Sequence, residues 1–91
     1  MINQVDIRVA EKDLLKTPKA LVVKFQQWVS DVERYGLEEV RKVPGWHDHT
    51  LKGSRVGQRA IYLNKQWRAI YMIAGDKIKI VRVIEVHPHE Y

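Results

Sequence analysis

The sequence predicts an α+β fold in which an N-terminal strand and two or three helices precede a three-stranded antiparallel meander. Three patterns predict it: apolar residues alternate over residues 5–9, recur at helical spacing over residues 21–32, and dominate β-rich segments after residue 57. Helices segregated in the chain from an antiparallel sheet pack on one of its faces, which leaves the other face for a ligand. With 91 residues, we predict one domain, spanning 1–91.

The N-terminal third predicts the strand and the helices. Val5, Ile7 and Val9 alternate with charged residues, as in a short strand, and a short helix follows over residues 11–16. Thr17 and Pro18 predict the N-cap and first residue of the longest helix. Its apolar stripe, which we expect to form the core, is Leu21, Val22, Phe25, Trp28, Val29 and Val32, and Gly36 is expected at its C-terminus.

The rest of the chain predicts a helical turn over residues 37–43, a loop over residues 46–57 and the meander. Residues 58–63 and 66–73 flank Asn64 and Lys65, which suit a two-residue hairpin turn. Residues 77–86, rich in Ile and Val, predict the last strand.

That hairpin would bring two arginines together. Ile61 would lie opposite Arg68, and Arg59 would share its face, with side-chain stems starting about 7–8 Å apart. Two converging guanidinium groups favour an anion between them, and a phosphodiester fits the planar fork of Arg. Alternatively, both stems cover apolar surface and both heads lie in water.

The charge is positive and uneven. Lys and Arg number 16 against 11 Asp and Glu, for a net charge of +5. The segment between residues 52 and 68 contains no acid, and its five basic residues are Lys52, Arg55, Arg59, Lys65 and Arg68. Such a cationic field suits phosphate, although an ordinary solvated basic surface would give the same pattern.

The histidines form two pairs, His47 with His49 in the loop and His87 with His89 in the tail. Histidine suits proton transfer near neutral pH, although surface histidines near a strand end would look the same. Without paired carboxylates nearby, H-x-H pairs are weak evidence for a metal, so we predict no metal and no cofactor. Tyr91 is either a frayed tail or an aromatic on which a base stacks.

Several function classes lack their signatures. The chain has no cysteine, and it has no P-loop, G-x-S-x-G or H-E-x-x-H motif. No apolar run approaches the ~20 residues that span a bilayer, and we see no signal peptide, so we expect a cytoplasmic protein. His, Lys and Arg without a nucleophile instead fit RNA cleavage by the substrate's own 2′-hydroxyl, which needs a base, cations and an acid.

Five short motifs together resemble the RelE/ParE toxin superfamily. They are Leu51-Lys52-Gly53, Arg59-Ala60-Ile61-Tyr62-Leu63, Trp67-Arg68-Ala69-Ile70-Tyr71, His89-Glu90-Tyr91 and, as in the H-x-L-K-G segment of HigB-type toxins, His49-Thr50-Leu51-Lys52-Gly53. The resemblance covers nearly the whole chain and implies the RelE-like microbial RNase fold. It also implies a type II toxin, since RelE and HigB members are mRNA interferases that cut messenger RNA in the ribosomal A site without metal.

The resemblance also implies residue roles. Arg68 matches the arginine that contacts the scissile phosphate, and Arg59 matches a basic strand residue. One departure is Ile61, which stands where RelE has a second strand lysine. The predicted catalytic set is His49, Lys52, Arg59, Arg68, His89 and Tyr91, and the predicted RNA contacts are Trp46, Arg55, Lys65 and His87.

The implied partners are the ribosome, mRNA and a cognate antitoxin, which in the HigB branch is a HigA-like helix-turn-helix protein; no membrane is implied. Two alternatives stay open: a non-catalytic ParE-like toxin that binds DNA gyrase, and a cationic RNA-binding module without toxicity. The histidines and the H-x-L-K-G segment favour the nuclease, because a pure binder needs no group that titrates near neutrality.

Overall fold

The chain folds as a five-stranded mixed sheet with its helices on one face. The computed structural model describes residues 1–88. The strands are β1 (Val5–Asp6), β2 (His49–Thr50), β3 (Gln58–Tyr62), β4 (Trp67–Ala74) and β5 (Ile80–Pro88), and the helices are α1 (Glu11–Leu15), α2 (Lys19–Tyr35) and α3 (Leu37–Val40). The sheet order is β1-β5-β4-β3-β2, with β1 parallel to β5 and the other pairs antiparallel. The predicted α+β class and C-terminal meander are confirmed.

The two edges of the sheet differ from the prediction. At one edge β1 is only two residues long, because the carboxylate of Asp6 accepts a hydrogen bond from the backbone N–H of Arg8 at 3.0 Å and the chain turns there into a 3₁₀ helix, Arg8–Ala10. At the other edge, β2 lies within residues predicted as loop. His49 pairs with Ala60 of β3, so the loop contributes a strand to the sheet.

The long helix α2 starts later than predicted. Thr17 does not cap it: the hydroxyl of Thr17 donates to the carbonyl of Asp13 at 2.7 Å, within the preceding helical turn. The carbonyl of Pro18 accepts the first helical N–H groups instead. The helix ends, as predicted, at Gly36, whose φ of +88° suits glycine.

The core lies between α2 and one face of the sheet. Phe25, Trp28 and Val32 of α2 are at most 1% exposed, and the Trp28 ring centroid lies 5.3 Å from that of Tyr71 on β4. The cluster includes Leu63, directly after β3, and the strand residues Ile61, Ala69, Tyr71, Val81, Val83 and Val86. Each large apolar side chain buried here contributes roughly 1.5–3 kcal/mol. Of the stripe predicted to form the core, Phe25, Trp28 and Val32 lie in it and Leu21 and Val29 pack against it, whereas Val22 is half-buried outside the cluster.

The β3–β4 hairpin has a three-residue loop, Asn64 to Gln66, rather than the predicted two-residue turn. The side-chain oxygen of Asn64 accepts hydrogen bonds from the backbone N–H groups of Gln66 and Trp67 at 2.8 and 2.7 Å, which stabilises the longer loop. As a result Tyr62, not Ile61, lies opposite Arg68.

Because successive side chains of a strand point to opposite faces, this one-residue difference in register puts Arg59 and Arg68 on opposite faces of the sheet. Arg59 lies on the helix-covered face with Ile61, whereas Arg68 lies on the opposite face with Tyr62. We call the opposite side the far face; across β3, β4 and β5 it carries Ala60, Tyr62, Arg68, Ile70, Glu85 and His87. The predicted convergence of Arg59 and Arg68 is therefore wrong.

Candidate functional site

The far face gathers polar side chains from four neighbouring strands near the β3–β4 loop. Arg68 of β4 pairs with Tyr62 of β3 on one side and with His87 of β5 on the other. His49 of β2 lies opposite Ala60, and its ring contacts Tyr62. Residues that are distant in the sequence therefore form one cluster.

A bulge in β5 places the side chains of Glu85 and His87 on the far face. Ile70 pairs with Glu85, but the next residue, Tyr71, pairs with Val83, so one residue of β5 is left without a partner. Before the bulge the odd-numbered residues of β5 face the core; after it Val86 does, and Glu85 and His87 reach the far face. Sequence alternation alone would have placed Glu85 in the core.

Tyr62 is the centre of the cluster. The Arg68 guanidinium carbon lies 3.5 Å from the centroid of its ring, and the His47 ring is stacked on it at 4.7 Å. His49 meets the same ring edge-on at 5.8 Å. Such a cation–π contact contributes about 2 kcal/mol when it is desolvated. Sequence reasoning missed Tyr62 as a site residue, although it belongs to a motif that begins with a basic residue.

Arg68 carries a sheltered positive charge. The residue is only 6% exposed, and its Nη1 donates to the carbonyls of Asn64 and Trp67 at 2.9 and 3.2 Å. Within residues 1–88 its Nε has no hydrogen-bond partner and no carboxylate pairs with it. Neutral carbonyls leave its charge uncompensated, so this guanidinium suits an anionic ligand.

His49 is held in one tautomer. Its Nδ1 lies 2.6 Å from the carbonyl oxygen of His47. A carbonyl can only accept, so Nδ1 carries the proton and the neutral ring presents Nε2 with a free lone pair. That is the form a general base needs. His47 itself has φ +50°, a left-handed conformation that costs a non-glycine residue roughly 1–2 kcal/mol.

Arg55 is neutralised on the far face. Its Nη1 donates to Glu85 at 2.5 Å and to Gln58 at 2.8 Å. The hydrogen bond from Arg55 lowers the pKa of Glu85, against the opposing effect of burial. The other oxygen of Glu85 lies 3.8 Å from Nε2 of His87. Nδ1 of His87 is hydrogen-bonded to the carbonyl oxygen of Pro88 at 2.7 Å. Arg55 therefore needs to exchange this partner before it can bind phosphate.

Arg59 belongs to a separate, buried network on the helix-covered side. Its Nε donates to Asp48 at 2.6 Å, and the Tyr71 hydroxyl donates to the second oxygen of that carboxylate. The Asp48 side chain is 1% exposed and that of Arg59 19%. Burial and the Asp48 hydrogen bond both raise the pKa of Tyr71; the same carboxylate raises the pKa of Arg59 although burial opposes this. Arg59 is thus paired and points away from Arg68.

The remaining predicted site residues differ in exposure. Lys52 and Lys65 are exposed, Lys65 in the hairpin loop. Trp46 lies in the core cluster at 7% exposure with the Lys24 ammonium 5.8 Å from its ring, so little of its surface is available for the predicted RNA contact. The predictions for His89 and Tyr91 lie outside the described residues.

Neither a metal-binding cluster nor a membrane-spanning helix is found within residues 1–88. No group of three or more His, Asp or Glu side chains there is arranged to hold a metal ion. None of the helices in that part of the chain is long and apolar enough to cross a bilayer.

The fold is that of the RelE-like toxins. YafQ from E. coli strain BL21(DE3) superimposes with a TM-score of 0.74 at 18% identity, covering 96% of this chain and 93% of its own. The archaeal RelE–RelB complex from Pyrococcus horikoshii OT3 gives 0.68 at 23% identity, with 97% and 96% covered. The toxin–antitoxin complex RelBE2 from Mycobacterium tuberculosis gives 0.69 at 18%, with 98% and 100% covered. Neither a model of any protein family nor any curated protein matches the sequence.

Proposed function

We propose that this protein is a type II toxin of the RelE/ParE superfamily, in the HigB-like branch, and that it cleaves messenger RNA on the ribosome. The observation that carries the proposal is the far-face cluster, where, among residues 1–88, a histidine with a free Nε2 and an arginine without a carboxylate partner contact one tyrosine ring. The shared fold and the H-x-L-K-G segment support it.

The chemistry assigned to the cluster is attack of the RNA 2′-oxygen on the adjacent phosphorus, with departure of the 5′-oxygen and formation of a 2′,3′-cyclic phosphate. Nε2 of His49 takes the proton of the 2′-hydroxyl. Arg68 stabilises the charge on the phosphorane-like transition state, and Lys52, which is exposed, stays a prediction for the same role. His89 and Tyr91 stay predictions for the acid that protonates the leaving oxygen, and His87, on the far face, stays a predicted RNA contact.

The proposed partners are the ribosome, mRNA and a cognate antitoxin in the cytoplasm. Two of the structural neighbours are complexes, RelE with RelB and the toxin–antitoxin complex RelBE2. By analogy an antitoxin, HigA-like on the HigB reading, would bind this chain and block its activity. The net charge of +5 would steer an acidic segment of that partner toward it.

The test is induction of the wild type, His49→Ala and Arg68→Ala in a bacterium, followed by mapping of mRNA 5′ ends. In-frame cuts in translated messages with the wild type, lost in both variants, are expected. Arg8→Ala, which changes an 83% exposed arginine beside β1, is the matched control and should cut normally. Growth arrest without cuts would contradict the proposal in favour of a gyrase-binding toxin, and RNA binding without arrest would favour a simple binding module.

A further inference from the structure

The segment His47-Asp48-His49 places its three side chains on two sides of the sheet. The two histidine rings contact Tyr62 on the far face. The Asp48 side chain between them reaches Tyr71, a core residue. A buried carboxylate is costly unless its oxygens are satisfied, and here each oxygen has its own donor, from β3 and from β4.

This arrangement fixes one peptide plane in particular. The carbonyl that accepts the hydrogen bond from Nδ1 of His49 belongs to the peptide bond between His47 and Asp48. On one side of that bond His47 is held left-handed, and on the other Asp48 is anchored by two directional hydrogen bonds. The direction of the His47 carbonyl, and hence the proton position on His49, therefore depends on the Asp48 anchor.

We propose that Asp48, Arg59 and Tyr71 are positioning residues that hold the His47 carbonyl against His49, so that Nε2 of His49 is kept free to act as the base. The catalytic consequence rests on the proposed function, but the effect on the ring does not. Arg59 accordingly acts through Asp48, and it does not contact the scissile phosphate.

The direct test is ¹⁵N NMR of the full chain without RNA, which reports which nitrogen of the neutral His49 ring carries the proton in the wild type and in Asp48→Asn. The wild type should show a protonated Nδ1 and a free Nε2. The amide that replaces the carboxylate has only one acceptor oxygen for the two donors, so the variant should show a mixture of tautomers. On programmed ribosomes its kcat should fall by roughly 10- to 100-fold, the scale for loss of a partner that orients a histidine, with KM unchanged.

Three further variants keep the test decisive. Tyr71→Phe removes one hydroxyl while keeping the ring against Trp28, so it should give a smaller shift in the same direction even where Asp48→Asn folds poorly. Arg59→Lys keeps a cation for Asp48 and should retain the wild-type tautomer. Asp6→Asn removes another Asp–Arg pair, at β1, and is the control that should leave His49 unchanged.

The outcomes separate the two proposals. A wild-type His49 tautomer in both Asp48→Asn and Tyr71→Phe would overturn the positioning role, as would a raised KM with unchanged kcat in Arg59→Lys, which would indicate direct RNA contact. A shifted tautomer in a protein whose wild type cuts no mRNA would instead overturn the nuclease and leave the positioning role intact.

Discussion

Arg59 and Arg68 lie on adjacent strands and are both sheltered, but they have opposite surroundings. Arg59 faces the helix-covered side and is paired with a buried carboxylate. Arg68 faces the other side, over the Tyr62 ring and beside two carbonyls. A guanidinium paired with a buried carboxylate is costly to remove alone, whereas one that has only neutral partners among residues 1–88 retains its charge for a ligand.

The largest effect is expected when the paired arginine, Arg59, is removed. Arg59→Met keeps much of the apolar stem but leaves the Asp48 carboxylate, 1% exposed, without its cation. We expect the free energy of unfolding to fall by about 3–5 kcal/mol, the usual effect of breaking a buried pair from one side. Urea unfolding followed by circular dichroism measures it.

The double variant Asp48→Asn with Arg59→Met is the matched control for that measurement. Because it removes both charges, it should recover part of the lost stability. A double variant that is less stable than Arg59→Met alone would indicate that the pair contributes little and that Asp48 acts through other contacts.

The next largest effect is expected at Arg68, which has no carboxylate partner in the described part of the chain. Arg68→Ala removes the charge assigned to the transition state, and we expect cleavage on the ribosome to slow by roughly 10²–10³-fold. Arg68→Lys should recover little of this rate, since an ammonium lacks the planar stacking surface and the fork. Single-turnover cleavage measures the rate, and thermal unfolding shows that the variants fold. An equal loss in Arg59→Lys would erase the proposed difference between the two arginines.

Removing the carboxylate of Glu85 should free the charge of Arg55 for an anionic ligand, as proposed for Arg68. Glu85→Gln takes the carboxylate away from Arg55 and removes a negative charge from the far face. Both changes favour an anion, so we expect RNA to bind about two- to five-fold more tightly, in line with the small energies of partly exposed pairs. Fluorescence anisotropy with a labelled oligonucleotide measures it, and weaker binding would show that Glu85 supports the site.

The smallest effect is expected at a pair on the edge of the sheet, where the side chain of Arg8 is 83% exposed and that of Asp6 13%. The hydrogen bonds from Arg8 lower the pKa of Asp6 from 3.8 to about 2. Since the folded-state pKa is the lower one, this pair contributes stability that is complete above about pH 4 and is lost as the pH falls toward 2. Asp6→Asn should flatten the acid limb of stability over that range, measured as the urea midpoint against pH. An unchanged acid limb would show that other carboxylates govern it.

Much of the fold could be predicted because its determinants are local or periodic. The stripe of α2, the stop at Gly36 and the β-rich C-terminal half each lie within a short window of sequence. The site depended on finer detail. Whether Asn64 begins a two- or a three-residue loop is decided by two side-chain hydrogen bonds, and that decision places Arg59 and Arg68 on opposite faces.

The other errors have the same origin. Asp48 looked like a polar loop residue, and nothing nearby in the sequence shows that its donors come from positions 59 and 71. The burial of Trp46 could not be predicted, because the 3₁₀ turn that contains it, Pro44–Trp46, is too short to show a period. The bulge that aims Glu85 follows from pairing with β4 and is invisible in β5 alone.

The position of β5 in the sheet has a consequence for how the molecule is made. It is the last of the five strands along the chain, yet it lies between β1 and β4 and bonds to both. A chain synthesised from its N-terminus can form α2 early, but β1 has no neighbour until β5 emerges. His87 arrives on the same strand. While the chain is still being translated, the ribosome that makes it therefore faces an incomplete sheet and an incomplete far face.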